Sequence, residues 1–465
     1  MASSRKPRSS EVVARVDAVL AAHVPAGARL TLGFSGGVDS MVLLDVLATL
    51  ATQHPFQLSC LHVHHGLSPH ADRWADFARR VAAQYGVECA VRKVRLEAHS
   101  GLGLEGTARA ARYAAFDDCD CDFVVFAHQQ DDQAETLLLQ LVRGAGVAGL
   151  AAMPVMRRLN EARAHPQLLR PMLNVSRADI EAYARMRDLQ WVEDESNSDV
   201  SLARNFMRHR IMPLLGALNS AAASNIARAA THLGEAAELL NAVTRDDLAA
   251  TGDGESIDLA VLRGIGELRA RNVLRLWLAQ HGVTAPDMAE LHEALRQLYA
   301  AREDAVPLID FDAYVLRRFR DRAYLVVQRP APPRNYVARW NGEMTWALPE
   351  LGGCLRFEPM PGEGIAASAL QAASTLVRLR QGGESFQPDV RRPRRSLKNL
   401  LQENAIAPWL RDRLPLLYCQ GRLAFAPGIG IAAEFQAAKG ENGMLIHWEA
   451  TVSSGGSPIN AAGIP

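Results

Sequence analysis

Six consecutive residues, Ser35-Gly36-Gly37-Val38-Asp39-Ser40, carry the strongest chemical signal in this chain. They stand between an apolar run, Leu30–Phe34, and a helical pattern that starts near Val38. Two glycines let a backbone turn tightly and present bare N–H groups to an anion. The N-terminus of the following helix adds free donors and the positive end of its dipole. Ser35 and Ser40 add hydroxyl donors, and Asp39 falls in the first turn, where a carboxylate is favoured. No Gly-Lys-Ser/Thr follows, so the loop is not a Walker A loop. These residue types in this order suit a phosphate or pyrophosphate.

Other polar groups recur at the ends of apolar runs. His62-Val63-His64-His65-Gly66-Leu67-Ser68 closes the second run. Its histidines suggest a metal, but partners at zinc spacing are missing. Arg109 and Arg112 are three residues apart and share one helical face. Arginines in such a place suit phosphate or carboxylate. The segment Ala127–Thr136 holds His128, Asp131, Asp132 and Glu135. Asp132 with Glu135 is also a capping-box pattern, worth about 1 kcal/mol to a helix. Asp131 is not needed for that cap and is the stronger functional candidate. Further on, Asp194-Glu195-Ser196-Asn197-Ser198-Asp199 precedes Arg204, Asn205 and Arg208. Near the C-terminus Arg391, Arg392, Arg394, Arg395 and Lys398 cluster, and residues 376–413 hold nine Lys/Arg against four Asp/Glu. A charge run of this kind is usually a solvated face, and phosphate contact is the alternative reading.

The elements that must position these residues read as follows. Candidate strands are Leu30–Phe34, Gln57–Val63, Glu88–Val94, Phe123–Ala127 and Leu168–Met172. Helical patterns separate them, one with Trp74, Phe77, Ala78, Val81, Ala82 and Tyr85 on one face. This alternation predicts an α/β fold with a doubly wound parallel sheet, whose ligands sit beyond the carboxyl ends of the strands. After Pro213 the pattern turns helical, with an apolar stripe at Ile226, Ala230, Leu233, Ala237 and Leu240 and further helices in Arg269–His281 and Met288–Arg302. The Pro-rich run Gln328–Pro333 reads as a semi-rigid linker. The expected domains are a catalytic domain over 1–215, a small helical middle domain over 216–330 and a mixed α+β domain over 331–465. The Gly/Ser/Pro-rich tail from Ser453 reads as disordered.

The loop Ser35–Ser40 resembles the pyrophosphate loop of the ATP pyrophosphatase (PP-loop) superfamily, whose members split ATP between its α and β phosphates. The segments at His62–Ser68, Gly103–Tyr113, Ala127–Thr136 and Asp194–Arg208 resemble the tRNA(Ile)-lysidine synthases. So do Leu397–Glu403, Ala407–Arg411 and Pro415–Leu417 at the C-terminal end. The resemblance implies ATP and Mg²⁺ as cofactors, with Asp39 as the Mg²⁺ ligand. It places ATP against Ser35, Gly36, Gly37, Val38, Asp39 and Ser40, with the backbone near His62 or Val63 touching adenine. Asp39, His128, Asp131, Asp132 and Glu135 become the catalytic candidates. Arg109, Arg112, Asn197 and Arg204 become clamps for lysine or phosphate. Arg391, Arg392, Arg394, Arg395, Lys398 and Arg411 become contacts to tRNA. The implied reaction joins L-lysine to C2 of the wobble cytidine of an isoleucine tRNA with anticodon CAU, through an adenylated base.

Composition bounds these expectations. Lys plus Arg and Asp plus Glu are both 51, so an RNA surface must come from local charge segregation. No stretch approaches the roughly 20 apolar residues of a membrane span. Six scattered cysteines without a Cys-x-x-Cys pair read as reduced thiols of a cytoplasmic protein. A homodimer is compatible with the sequence. The nearest rival is a tRNA thiolase of the same superfamily, which would need cysteines for sulfur transfer, and Cys119-Asp120-Cys121 is one residue too tight for the usual pair. A tRNA-binding protein without catalysis is a second alternative.

Overall fold

Leu30, Thr31 and Leu32 follow one another along the first strand and are all buried; consecutive residues point to opposite faces, which places that strand in a sheet covered on both faces. The computed structural model describes residues 8–66, 68–94, 103–160, 163–284, 286–300, 307–371 and 374–450. The side chains of residues 8, 9, 103–105, 108 and 109 lie outside this set, as do Leu67 and the tail from Ser453. Two compact units are present, Met1–Asn241 and Ala242–Pro465.

In the first unit, α1 (Arg8–His23) precedes β1 (Arg29–Gly33), α2 (Val38–Leu50), β2 (Gln57–His64), α3 (Ala71–Gln84), β3 (Glu88–Lys93), α4 (Gly103–Asp117) and β4 (Phe123–Val125). Then come α5 (Gln130–Val142), α6 (Val147–Leu150), β5 (Met156–Arg158), β6 (Gln167–Leu169) and α7 (Arg177–Met186). The strand order is β3-β2-β1-β4-β6-β5. All neighbours are parallel except the edge strand β5, which pairs antiparallel with β6. The expected doubly wound sheet is therefore present. Strand β5 was not anticipated, because three residues with exposed Met156 and Arg158 carry no apolar pattern. The last expected strand ends at Leu169, where Arg170-Pro171 turns the chain.

The chain passes from β1 to β2 and β3 on one side, then returns to β4 on the other. The loops after β1 and β4 therefore leave in opposite directions and open a crevice between them. Helix α2 is apolar all round, with ten of its thirteen residues buried, as expected for a helix inside a core. Gly33, at the end of β1, has Phe126 against it: a Cβ there would lie 2.6 Å from that ring.

After α7 the chain forms a 3₁₀ turn, Glu195–Ser198, then α8 (Ala203–Phe206), a π-helical turn Met207–Ile211, α9 (Met212–Leu218) and the 30-residue α10 (Ala222–Thr251). On α10 Ala230 is buried, but Leu240, expected in the same stripe, is 47 % exposed.

The second unit holds the helices Glu267–Gln280 and Met288–Ala300 close to where periodicity placed them. Beside them lies a four-stranded antiparallel sheet from Ser256–Asp258, Leu308–Phe311, Tyr314–Phe319 and Arg322–Val327, so this region is helical with an added sheet. Further along are a five-stranded and a four-stranded sheet and the helix Leu397–Glu403. Trp409 joins the two parts, edge-on to Phe319 and Tyr324 and under the guanidinium of Arg317.

Candidate active site

The Ser35–Ser40 loop holds its own shape. Gly36 adopts φ +86°, open to glycine at little cost, and its N–H donates to Ser40 Oγ at 3.1 Å. Ser40 Oγ in turn donates to the Gly37 carbonyl at 2.9 Å, and Gly37 N–H donates to Ser35 Oγ at 3.3 Å. Val38, buried, begins α2, and Asp39 follows in its first turn. Beyond the loop, Val192 N–H donates to the Gly36 carbonyl at 3.0 Å.

Asp39 faces α7. Arg177 Nη1 lies 3.0 Å from Asp39 Oδ2 and 3.2 Å from Oδ1. The Arg177 backbone N–H also donates to Asp131 Oδ1 at 3.3 Å. One residue thus touches both acidic candidates. Burial, and after it the carboxylates of Asp132 and Asp131, push the Asp39 pKa up to about 6 against the pull of Arg177. Burial also raises Asp131. Two neighbouring carboxylates that both resist ionisation form a donor set short of positive charge. Mg²⁺ binds through one or two carboxylates together with substrate phosphates, and Asp39, at the loop, fits it.

Asp132 and Glu135 have a different setting. Arg204 donates from Nε to Glu135 Oε2 at 3.1 Å and from Nη2 to Asp132 Oδ1 at 3.0 Å. Arg208 donates from Nε to Glu135 Oε1 at 2.7 Å and from Nη2 to Asp132 Oδ1 at 2.9 Å. Burial opposes the charge of Asp132, but Arg204, the Gln129 N–H and Arg208 together hold its pKa below the usual value. Both oxygens of Glu135 are taken by arginine. Glu135, a catalytic candidate from the sequence, is thus engaged by the chain itself, and Arg204, expected as a clamp for lysine or phosphate, grips the chain's own carboxylates. The helix cap also differs from the expected pattern. Gln129 is the capping residue: its Oε1 accepts from Asp131 N–H at 2.6 Å, and its own N–H donates to Asp132 Oδ2 at 3.0 Å. The helix begins three residues sooner than an Asp132–Glu135 box implies, because β4 ends at Val125.

His128 Nδ1 accepts from Arg170 Nε at 3.3 Å. An arginine can only donate, so the proton sits on Nε2. Burial, together with Arg170, Arg204 and Arg112, pushes the His128 pKa down to about 3, so the ring is neutral and Nε2–H is a donor. His62 is buried and its Nδ1 donates to the Phe34 carbonyl at 2.9 Å, the tautomer a buried neutral ring requires there; burial lowers its pKa. Val63 is half-buried in β2, in register with Arg92. Arg112 lies close enough to lower the pKa of both His65 and His128. Arg109 is in α4, with its side chain outside the described residues. Asn197 sits exposed on the Glu195–Ser198 turn, where its carbonyl accepts from His209 Nε2 at 2.8 Å. Asn205 fixes that turn by donating to the carbonyls of Ser196 and Asp199 at 2.8 and 2.9 Å.

Asp45, buried on α2, is held by Tyr183 Oη at 2.6 Å, Tyr85 Oη at 3.0 Å and two nitrogens of Arg187 at 3.1 Å. This hub ties α2 to α7 and so fixes the separation of Asp39 from the start of α7. Sequence reasoning missed Arg177, Arg170 and Asp45. One signal was present for Arg177: a cation at the first position of a helix works against the dipole, which calls for a nearby anion. Cys119 and Cys121 precede β4, at the end of the strand opposite the crevice.

In the second unit Arg391, Arg392 and Arg394 lie exposed on the loop of the hairpin Ser385–Phe386 and Arg395–Ser396. Lys398 is exposed on the next helix. Arg394 pairs with Glu434 at 3.3 Å, and Arg395 Nη1 with Glu403 at 2.7 Å. Arg411 Nε donates to the Ile406 carbonyl at 2.7 Å. Among the described residues, no helix is long and apolar enough to cross a membrane.

A doubly wound sheet with this loop at its switch point and a carboxylate array beside it defines a PP-loop, ATP-utilising domain. The family model described as the PP-loop domain matches residues 9–215. The models for the TilS substrate binding domain and the TilS substrate C-terminal domain match residues 257–324 and 376–448. The chain is 40 % identical to a tRNA(Ile)-lysidine synthase of Nitrosomonas europaea over 92 % of its own length and 93 % of that protein. It is 42 % identical to those of Azoarcus sp., over 92 % and 93 %, and Aromatoleum aromaticum, over 93 % and 100 %. The chain belongs to the tRNA(Ile)-lysidine synthase family.

Proposed function

We propose that this chain uses ATP to join L-lysine to C2 of the wobble cytidine of a tRNA(Ile) with anticodon CAU, releasing AMP and pyrophosphate. The product, lysidine, switches decoding from AUG to AUA. The observation that carries the reading is the juxtaposition of Asp39 and Asp131 at the mouth of the Ser35–Ser40 loop in a chain of this family. The reaction has two parts. The cytosine C2 oxygen attacks the α phosphate, and pyrophosphate leaves toward the loop. The lysine ε-amine then attacks C2, and AMP leaves.

Asp39 is the residue to hold Mg²⁺, which would supply charge neutralisation at the phosphates. The Ser35 and Ser40 hydroxyls and loop amides line the leaving group. The backbone near His62 and Val63 borders adenine. Arg112, and Arg109 beside it in sequence, serve as anion clamps. The lysine ammonium, with a reference pKa of about 10.4, must lose a proton before it attacks. Asp131 is the carboxylate that receives this proton. The described contacts engage only one of its oxygens, and its raised pKa suits a proton acceptor. Asp132 and Glu135 act through Arg204 and Arg208, which they hold in place, while His128 contributes a neutral donor from Nε2. Water must be kept out, because its attack on C2 of the activated base displaces AMP and regenerates cytidine, wasting the ATP. The exposed Arg391, Arg392 and Lys398, with Arg394, Arg395 and Arg411 beside them, are the phosphate contacts to tRNA.

Pyrophosphate release from ATP tests this reading. It is expected only when tRNA and Mg²⁺ are both present, with AMP release following addition of lysine. Release that is indifferent to tRNA contradicts it.

A further inference from the structure

Arg177 belongs to none of the motifs that describe the loop, yet among the described residues it is the one bonded to both Asp39 and Asp131. Its backbone is pinned. Ser176 caps α7 by accepting from Asp179 N–H at 3.1 Å, and the Asp45 hub anchors the far end of the helix through Tyr183 and Arg187. Its side chain has freedom and a choice of partners. It is 38 % exposed, Nη1 lies on Asp39, and Nε donates to Glu181 at 2.8 Å. Glu181 lies one helical turn further along α7 and also faces Arg185 at 3.7 Å. A guanidinium shared between a half-buried carboxylate at the anion loop and an outer carboxylate has a second resting place.

We propose that Arg177 is an exchangeable counter-ion of the nucleotide site. In the empty site its Nη1 neutralises Asp39. With a triphosphate and its divalent cation bound, Asp39 would hold the cation, and the Arg177 guanidinium, released from Asp39, would turn to the phosphates. Nη1 spans both Asp39 oxygens, so a cation approaching that edge of the carboxylate and the guanidinium compete for the same place. The distance to be covered is small, because Asp39 is in the first turn after the anion loop. The inference rests on the ATP reading above and deepens it by naming a phosphate ligand and the contact it gives up.

The test is calorimetric titration of the full chain with Mg²⁺ alone and with inorganic pyrophosphate in saturating Mg²⁺. Arg177→Met is expected to bind pyrophosphate roughly 10- to 100-fold more weakly, the usual worth of a charge-assisted hydrogen bond. The same variant is expected to bind Mg²⁺ alone more tightly than the wild type, since the competing cation is gone. Glu181→Gln, which frees Arg177 from its outer partner, is expected to bind pyrophosphate severalfold more tightly, and it carries the test if Arg177→Met does not fold. Opposite movement of the two affinities in Arg177→Met supports the exchange. Unchanged pyrophosphate binding in Arg177→Met, joint loss of both ligands in a folded variant, or an unchanged Glu181→Gln overturns it and makes Arg177 a fixed structural partner. A wild-type chain that binds no pyrophosphate overturns the nucleotide reading itself, and this inference with it.

Discussion

Arg208 grips Glu135 with two nitrogens, Nε at 2.7 Å from Oε1 and Nη2 at 3.0 Å from Oε2, around a carboxylate that is 1 % exposed. A buried carboxylate so engaged is an anchor. Removing one partner of a buried pair leaves the other charge stranded and costs about 3 to 5 kcal/mol. Glu135→Gln is therefore expected to lower the unfolding free energy by about 3 kcal/mol and to slow adenylation and lysine transfer together. Denaturant unfolding and single-turnover kinetics on one preparation check both. A fully stable variant that loses lysine transfer alone would place Glu135 in direct contact with the amine.

Asp131 is expected to separate the two steps. Asp131→Asn keeps the acceptor for the Arg177 N–H but loses the charge and the proton-accepting oxygen. The measurement traps adenylated tRNA, adds lysine and follows AMP. Adenylation in this variant should stay within about tenfold of the wild type, while AMP release falls by about 10²-fold or more, the scale of general base catalysis. Equal losses in both steps would place Asp131 at the metal instead.

The raised pKa of Asp39 has a definite sign. The folded value of about 6 lies above the ordinary carboxylate value of 3.8, so the folded state binds the proton more tightly than the unfolded chain. In the metal-free protein the stability drawn from protonated Asp39 is present at low pH and is lost as pH rises from about 4 through 6. Asp39→Asn is expected to gain stability relative to wild type across that window, by roughly 1 to 3 kcal/mol. Mg²⁺ needs the ionised form, so its apparent affinity should weaken about tenfold per pH unit below 6 in the wild type. A Mg²⁺ titration at several pH values checks this, and a flat profile would remove Asp39 from the cation site.

The hairpin loop at Arg391 and Arg392, with Lys398 next to it, is expected to carry salt-dependent tRNA affinity. Replacing all three by Ala should flatten the log–log dependence of binding on salt by roughly 0.7 to 0.9 per lost contact. Arg395, already held by Glu403, should contribute less than any of them. An unchanged slope in the triple variant would make this face merely solvated.

How much of this was legible in the sequence follows from the range of the interactions. The anion loop is local, six residues between a strand and a helix, and its glycines and serines announce the turn they make. That the sheet is parallel follows from strand–helix alternation, though its order, β3-β2-β1-β4-β6-β5, does not. The engagement of Glu135 by Arg204 and Arg208 spans about 70 residues, and that of Asp39 by Arg177 spans 138; no spacing rule reaches across such gaps. The carboxylates were found as chemistry-bearing types, but which of them is free depends on those distant arginines. The sheet beside the middle helices was missed for another reason. Tyr314–Phe319 and Arg322–Val327 alternate as strands should, but Arg317, Arg318 and Arg322 interrupt the apolar pattern, and Arg318 is buried where it donates to the Leu298 carbonyl.

Mass analysis of the wobble nucleoside tests the central claim most directly. CAU-anticodon isoleucine tRNA is incubated with the full chain, ATP, Mg²⁺ and L-lysine, digested to nucleosides and separated. The account predicts that the wobble cytidine gains the mass of one lysine less one water, and that the gain disappears when ATP or lysine is omitted or when Asp39 is replaced by Ala. A wobble position that stays cytidine, or gains sulfur in place of lysine, would contradict it.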